Sequence, residues 1–95
     1  MNDAAPAGTR TVFFVSDGTG ITAETLGHSV LAQFETLRYR RVRAPFIDSL
    51  EKARELVGRI NDTAVLDGCR PIVFSTLVDP AANAELRRAR AMVLD

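Results

Sequence analysis

The sequence predicts an α/β fold: a three-layer, Rossmann-like βαβαβα arrangement on a three-stranded parallel sheet. Three observations predict it. Short apolar, β-branched runs alternate with longer segments whose apolar residues recur every three or four positions. Glycine, proline and aspartate stand where one pattern gives way to the other. The order strand, helix, strand, helix, strand, helix calls for right-handed crossovers, and so for parallel strands with helices on the sheet's faces.

Met1 to Thr9 hold Ala, Pro and Gly without an apolar core and read as a loose N-terminal tail, not a signal peptide. The domain then occupies residues 10–95. Thr11 to Ser16 is a continuous apolar run, suited to a strand buried on both faces. A helix is expected from Ile21 to Phe34, with Ala23, Leu26, Val30, Leu31 and Phe34 as its apolar stripe. Gly27 lowers helix propensity beside that stripe, so its use is read as a close approach of helix to sheet. Tyr39 to Ala44 is the second strand. Arg38, Arg40, Arg41 and Arg43 surround Val42, which suits an edge, and Pro45 fits the exit.

Asp48 or Ser49 caps the second helix, and Asp48 with Glu51 resembles a capping box. Leu50, Ala53, Leu56, Val57, Ile60 and Ala64 form its core stripe, and Glu55 and Arg59 are spaced for an outer-face pair. Gly68, after Asp67, is a left-handed terminator. Pro71 to Ser75 is the third strand. Asp79-Pro80 opens a third helix, with the acid as cap and proline in the first position. Its stripe of Ala82, Leu86, Ala89 and Val93 runs to the end. The arginine-rich edge gives the order 2-1-3, with the first strand central. Strand order then reverses beside Ser16–Gly20, the usual ligand position in such sheets. The helical pattern is unfinished at Asp95, and three strands are few, so the sequence reads as the N-terminal part of something larger.

Composition narrows the function classes. The 95 residues are 46% apolar, enough for one small globular core. A core of this size gains from a partner subunit or a further domain, and is compatible with a homo-oligomer. Twelve basic and twelve acidic residues leave no net charge, and so no global basic field for nucleic acid. No apolar run approaches the roughly 20 residues of a membrane span. Cys69 is the single cysteine, which excludes an internal disulfide and a cysteine metal cluster and suits a reducing cytoplasm.

The chemistry gathers in Phe13-Phe14-Val15-Ser16-Asp17-Gly18-Thr19-Gly20-Ile21-Thr22-Ala23-Glu24. This is a strand, a tight turn and a helix start, where unpaired amides favour anions. Ser16, Thr19 and Thr22 offer hydroxyls, while Gly18 and Gly20 let amides converge on a phosphate. Asp17 can cap the turn, hold a metal or orient a hydroxyl. The plainer reading is that these groups only satisfy the helix start.

Three rival motifs are weaker. Gly18-x-Gly20-x-x-Ala23 fits a dinucleotide fingerprint, but Asp17 opposes a pyrophosphate and no acid stands at the end of the second strand. Arg41 and Arg43 there suit a 2′-phosphate or, more simply, an edge strand. Asp17-Gly18-Thr19 matches part of a phosphatase signature whose nucleophile would fall on Val15, which cannot form an aspartyl-phosphate. No lysine follows a glycine pair as a P-loop requires. His28 stands four residues after Glu24 and can pair with it. Ser75 and Thr76 end the third strand, facing the same crevice or merely giving it a polar end.

The run from Val15 to Gly27, with Gln33-Phe34, Pro45-Phe46 and Arg70-Pro71-Ile72-Val73-Phe74-Ser75, resembles the phosphoenolpyruvate synthase regulatory proteins, whose plant relatives regulate pyruvate, phosphate dikinase. The resemblance implies a bifunctional cytoplasmic enzyme. Such proteins use ADP to phosphorylate a target threonine, which inactivates the target. They also remove that phosphate by phosphorolysis, with inorganic phosphate as acceptor and pyrophosphate as product. The resemblance therefore implies ADP and inorganic phosphate as ligands, a magnesium ion as a compatible companion, and phosphoenolpyruvate synthase or pyruvate, phosphate dikinase as partner. The family's P-loop lies in its C-terminal half and has no counterpart here, so activity is expected of the complete protein and not of these 95 residues alone. Within that frame Ser16, Gly18, Thr19, Gly20 and Thr22 are expected to face the phosphate or the target, with Asp17 the candidate catalytic residue. The alternatives are a target-docking or dimerisation module without chemistry, and a dinucleotide-binding domain.

Overall fold

Val12, Phe13, Phe14 and Val15 are almost wholly buried because β1 (Arg10–Val15) is flanked by strands on both edges and by helices on both faces. The computed structural model describes residues 9–34 and 38–94. The expected tail, apart from Thr9, lies outside the described residues, as does Asp95. After β1 come α1 (Ile21–Leu31), β2 (Tyr39–Ala44), α2 (Leu50–Asp67), β3 (Ile72–Ser75), α3 (Pro80–Leu86) and β4 (Met92–Leu94). All pairings are parallel, and the order is β2-β1-β3-β4. The α/β class, the parallel sheet and the sequence 2-1-3 within it agree with the reading above.

The fourth strand corrects that reading, which carried a helix through Val93. The helix ends at Leu86. Its bonds tighten from the four-residue span of Arg87 N–H to Asn83 O (3.1 Å) to the three-residue spans of Arg88 to Glu85 and Ala89 to Leu86 (both 3.0 Å). Asn61 Oδ1 on α2 then accepts the Arg90 amide at 2.8 Å, and Met92 N–H donates to Pro71 O at 2.9 Å. The open edge of β3 supplies partners that a further helical turn would leave unused. Leu86, Ala89 and Val93 do share one core, but by a turn and a strand. Their spacing is the same in either conformation.

The sheet divides two cores. On one face α2 and α3 pack over Phe13, Val15, Ala44 and Val73, with Leu56, Ile60 and Leu86 between the layers. On the other face α1 covers Val12, Phe14 and Ile72. The expected α1 stripe needs correction here. The buried line is Ala23, Gly27 and Leu31, whereas Leu26, Val30 and Phe34 are exposed. The helix approaches through its smallest residues because Gly27 sits against the stacked rings of Phe14 and Phe74, whose centroids are 5.9 Å apart.

The cap of α2 is Ser49, whose Oγ accepts from Lys52 N–H at 3.1 Å. Asp48 instead binds Lys52 Nζ at 2.9 Å, so it is not the capping acid. Gly68 ends α2 in the left-handed conformation, as its place after Asp67 predicts. No described helix is long and apolar enough to cross a membrane.

Candidate functional site

The C-terminal ends of β1, β2 and β3 form a common crest. Ser16 N–H donates to Ala44 O at 3.1 Å and Thr76 N–H to Val15 O at 3.0 Å, which extends both ladders beyond the strands. Ser16 is buried, and its Oγ accepts the Gly18 amide at 3.0 Å. Its hydroxyl therefore shapes the turn. Two further bonds hold the loop after β2 against that turn: Ile47 N–H to Ser16 O and Phe46 N–H to Gly18 O, both 2.8 Å. Phe46 adopts φ 60°, and among the described residues no other non-glycine has positive φ. For a bulky side chain that is a strained conformation. Its ring is more than half exposed beside the turn.

Gly20 precedes α1 at φ 88°, and a Cβ there would lie 3.0 Å from Arg43 Cγ. The turn needs glycine both for its conformation and for the arginine stem laid across it. Gly20 has no side chain to cap α1; the Thr19 hydroxyl accepts the Ile21 amide in a long bond of 3.5 Å. The first helical bond is Glu24 N–H to Gly20 O at 2.9 Å. Among the described residues nothing accepts from the amides of Thr22 and Ala23. The guanidinium of Arg43, paired with Glu24 at 2.7 Å, lies beside this open helix start. Amides, two threonine hydroxyls and an arginine make a donor set suited to a phosphoryl group.

The other side of the crest has opposite character. A cleft of about 130 Å³ is lined by Asp17, Asp48 and Asp79 with Ile47, Ser49 and Leu77. Each aspartate belongs to the loop after a different strand. Asp48 is held below the usual carboxylate range by its hydrogen bond from Lys52 and by the charge of that ammonium. Asp79 caps α3 through the Ala81 amide at 3.1 Å. Asp17 is exposed and, among the described residues, has no hydrogen-bond or ion-pair partner. The three carboxylates do not converge: among the described residues no group of three acidic, histidine or cysteine side chains is placed to hold a metal ion.

The turn brings Ser16, Gly18, Thr19, Gly20 and Thr22 to one end of the sheet, with Asp17 on the acidic side. Other expectations move. Glu24 pairs with Arg43, and His28 Nδ1 meets Tyr39 Oη at 2.9 Å, so Glu24 and His28 do not pair. His28 stays away from the turn. Ser75 donates to Asn83 Oδ1 at 2.7 Å and its Oγ accepts the Leu77 amide at 3.2 Å, a fastening of the β3–α3 loop. No acid ends β2, which leaves the dinucleotide reading without its ribose contact. Arg43 is also the residue that sequence reasoning underused. Strand alternation from Tyr39 places it on the α1 face, which was the available signal.

A family model described as kinase/pyrophosphorylase matches residues 12–95. Relatives named as phosphoenolpyruvate synthase regulatory proteins include one from Cupriavidus pinatubonensis, 63% identical over 92% of this chain and 29% of its own length. One from Aromatoleum aromaticum is 62% identical over 90% of this chain and 31% of its own length. One from a Janthinobacterium species is 57% identical over 98% and 33%. The chain spans about a third of the length of the curated relatives it matches.

Proposed function

The chain belongs to the kinase/pyrophosphorylase family, and on that premise we propose that it forms the N-terminal α/β part of a cytoplasmic regulator of phosphoenolpyruvate synthase or a related dikinase. The complete regulator phosphorylates a target threonine with ADP and removes that phosphate with inorganic phosphate. In the first reaction the threonine oxygen bonds to the β-phosphorus of ADP, the bridging P–O bond breaks and AMP leaves. In the second a phosphate oxygen bonds to the phosphothreonine phosphorus, the ester bond breaks, and pyrophosphate and threonine are released. Both are matters of positioning and charge stabilisation.

This chain contributes one wall. The amides of Thr22 and Ala23, the hydroxyls of Thr19 and Thr22, and Arg43 hold the phosphoryl group or the incoming phosphate. Gly18, Gly20 and the buried Ser16 hydroxyl fix the backbone that presents them. Asp17, unpaired beside the turn, orients the threonine hydroxyl, taking its proton in one direction and returning it in the other. The nucleotide is held elsewhere in the longer polypeptide, since no P-loop occurs here, so these 95 residues alone are inactive.

The observation that carries this reading is the uncapped start of α1, with two unpartnered amides, a left-handed glycine and a guanidinium alongside. Titration of the ¹⁵N-labelled chain with phosphate and pyrophosphate tests it. The largest shifts are expected at Gly20, Thr22 and Ala23, and Arg43→Ala should weaken them. Shifts equalled by chloride, or none, would sink the reading. In the full-length protein Asp17→Ala should lower both activities by about 100-fold. Retention of both, with unchanged phosphate dependence, would remove Asp17 from the mechanism.

A further inference from the structure

The two faces of the sheet are unequally covered. The crossovers α2 and α3 both lie on one face, while α1 stands on the other, over β1 and β3. A right-handed path leaves the β4 side of that second face, beyond α1, without a helix among the described residues. Its side chains remain apolar. Phe74, Met92 and Leu94 on the strands meet Leu26, Val30 and Phe34 along the open flank of α1. They line two adjoining hollows of about 290 and 540 Å³ that share Val30, Phe74 and Leu94. Leu26 and Phe34 are 57% and 59% exposed, though either would be suited to a core. A contiguous apolar groove of this kind marks an interface.

We propose that the polypeptide following β4 in the longer members of the family covers this groove, laying the apolar side of an amphipathic helix alongside α1. The relatives are about three times as long as the segment they share with this chain. The family match runs through residue 95, and Leu94 of β4 itself lines the groove. A chain continuing from β4 therefore leaves from the groove's own rim. The lining offers almost no polar group except at the two ends, Ser75 and Thr76 at one and Arg10 at the other. Such a surface suits the apolar stripe of an amphipathic helix and disfavours a charged segment. The inference is independent of the phosphate reading, because it rests on apolar side chains along the flank of α1, whereas that reading rests on backbone amides and Arg43 at the helix start.

Leu26→Cys places a thiol in the groove, and Val65→Cys places one on the exposed side of α2 as reference. Labelling by iodoacetamide, read by peptide mass spectrometry, is compared between this chain and the intact Cupriavidus pinatubonensis relative with cysteine at the aligned positions. The groove thiol should react at least about tenfold more slowly in the intact relative, with the reference changed less than about twofold. Equal groove rates in the two proteins would overturn the proposal, and so would a slowing common to both positions. Slow labelling in the 95-residue chain that quickens on dilution would also overturn it, by putting a second copy in the groove. Leu26→Lys gives a second reading: an unchanged melting temperature in this chain with a lowered one in the relative supports coverage. No change in either protein counts against it.

Discussion

Gly27 sets how closely α1 can lie on the sheet. A Cβ at this position would fall 2.4 Å from Phe14 Cε1 and 2.9 Å from Phe74 Cδ2. Both rings belong to the packed core, so neither can swing aside without disturbing it. Gly27→Ala gains about 1 kcal/mol of helix propensity, but overpacking costs about 1–3 kcal/mol. Net destabilisation is expected in urea titration; a more stable variant would show that the rings yield freely. A second residue-scale prediction concerns Asp48. Lys52→Met should return its carboxyl toward the ordinary value, followed by NMR of the side-chain carbonyl. The sign follows from the lowered folded-state value: the pair's contribution is present above the unfolded pKa and fades as pH falls through the folded one. The variant should lose that acid-side dependence. Gly27, Gly68 and the Ser16–Gly20 turn were legible in the sequence because their reasons are local or follow from helix geometry. Arg43 was not fully legible, because its partner Glu24 is on another element.

At the level of elements, the β3–α3 connection depends on Asn83. Its Oδ1 accepts from Ser75 and its Nδ2 donates to Leu77 O, both at 2.7 Å, and Ser75 and Leu77 are both buried. Asn83→Ala should cost about 1–3 kcal/mol, since buried polar groups lose their partners. Chemical denaturation measures the loss, and faster hydrogen exchange at Leu77 would locate it. Nothing in the sequence marks Asn83, since the bond links a strand end to a helix interior through the fold. The existence of six elements was legible from periodicity. The end of α3 was not, because an apolar spacing of three and four fits a helix and also a turn leading into a short strand. The choice was made by the unpaired edge of β3 and by Asn61, both non-local.

On the scale of the whole molecule, the charged second strand and the buried first strand were enough to order 2-1-3. The unequal covering of the two faces was not legible: Leu26 and Phe34 look like core residues, and a stripe does not say which of its members the chain itself will cover. The crest, too, is a property of the assembled sheet, since its acids are far apart in sequence. Asp79→Asn keeps the helix cap while removing one of these charges. It should tighten phosphate binding by about twofold at low salt and by less at physiological ionic strength, where the Debye length is about 8 Å. A matched pair of titrations at two salt concentrations checks it. The aspartates on one slope and the amides and guanidinium on the other make the crest a watershed for approaching ions. On the reading proposed above, a phosphate nearing the sheet from the α2 side would meet the carboxylates first, while one nearing from the α1 side would meet the open amides and Arg43. Anion approach would thereby be one-sided, which leaves the opposite slope to positive charge.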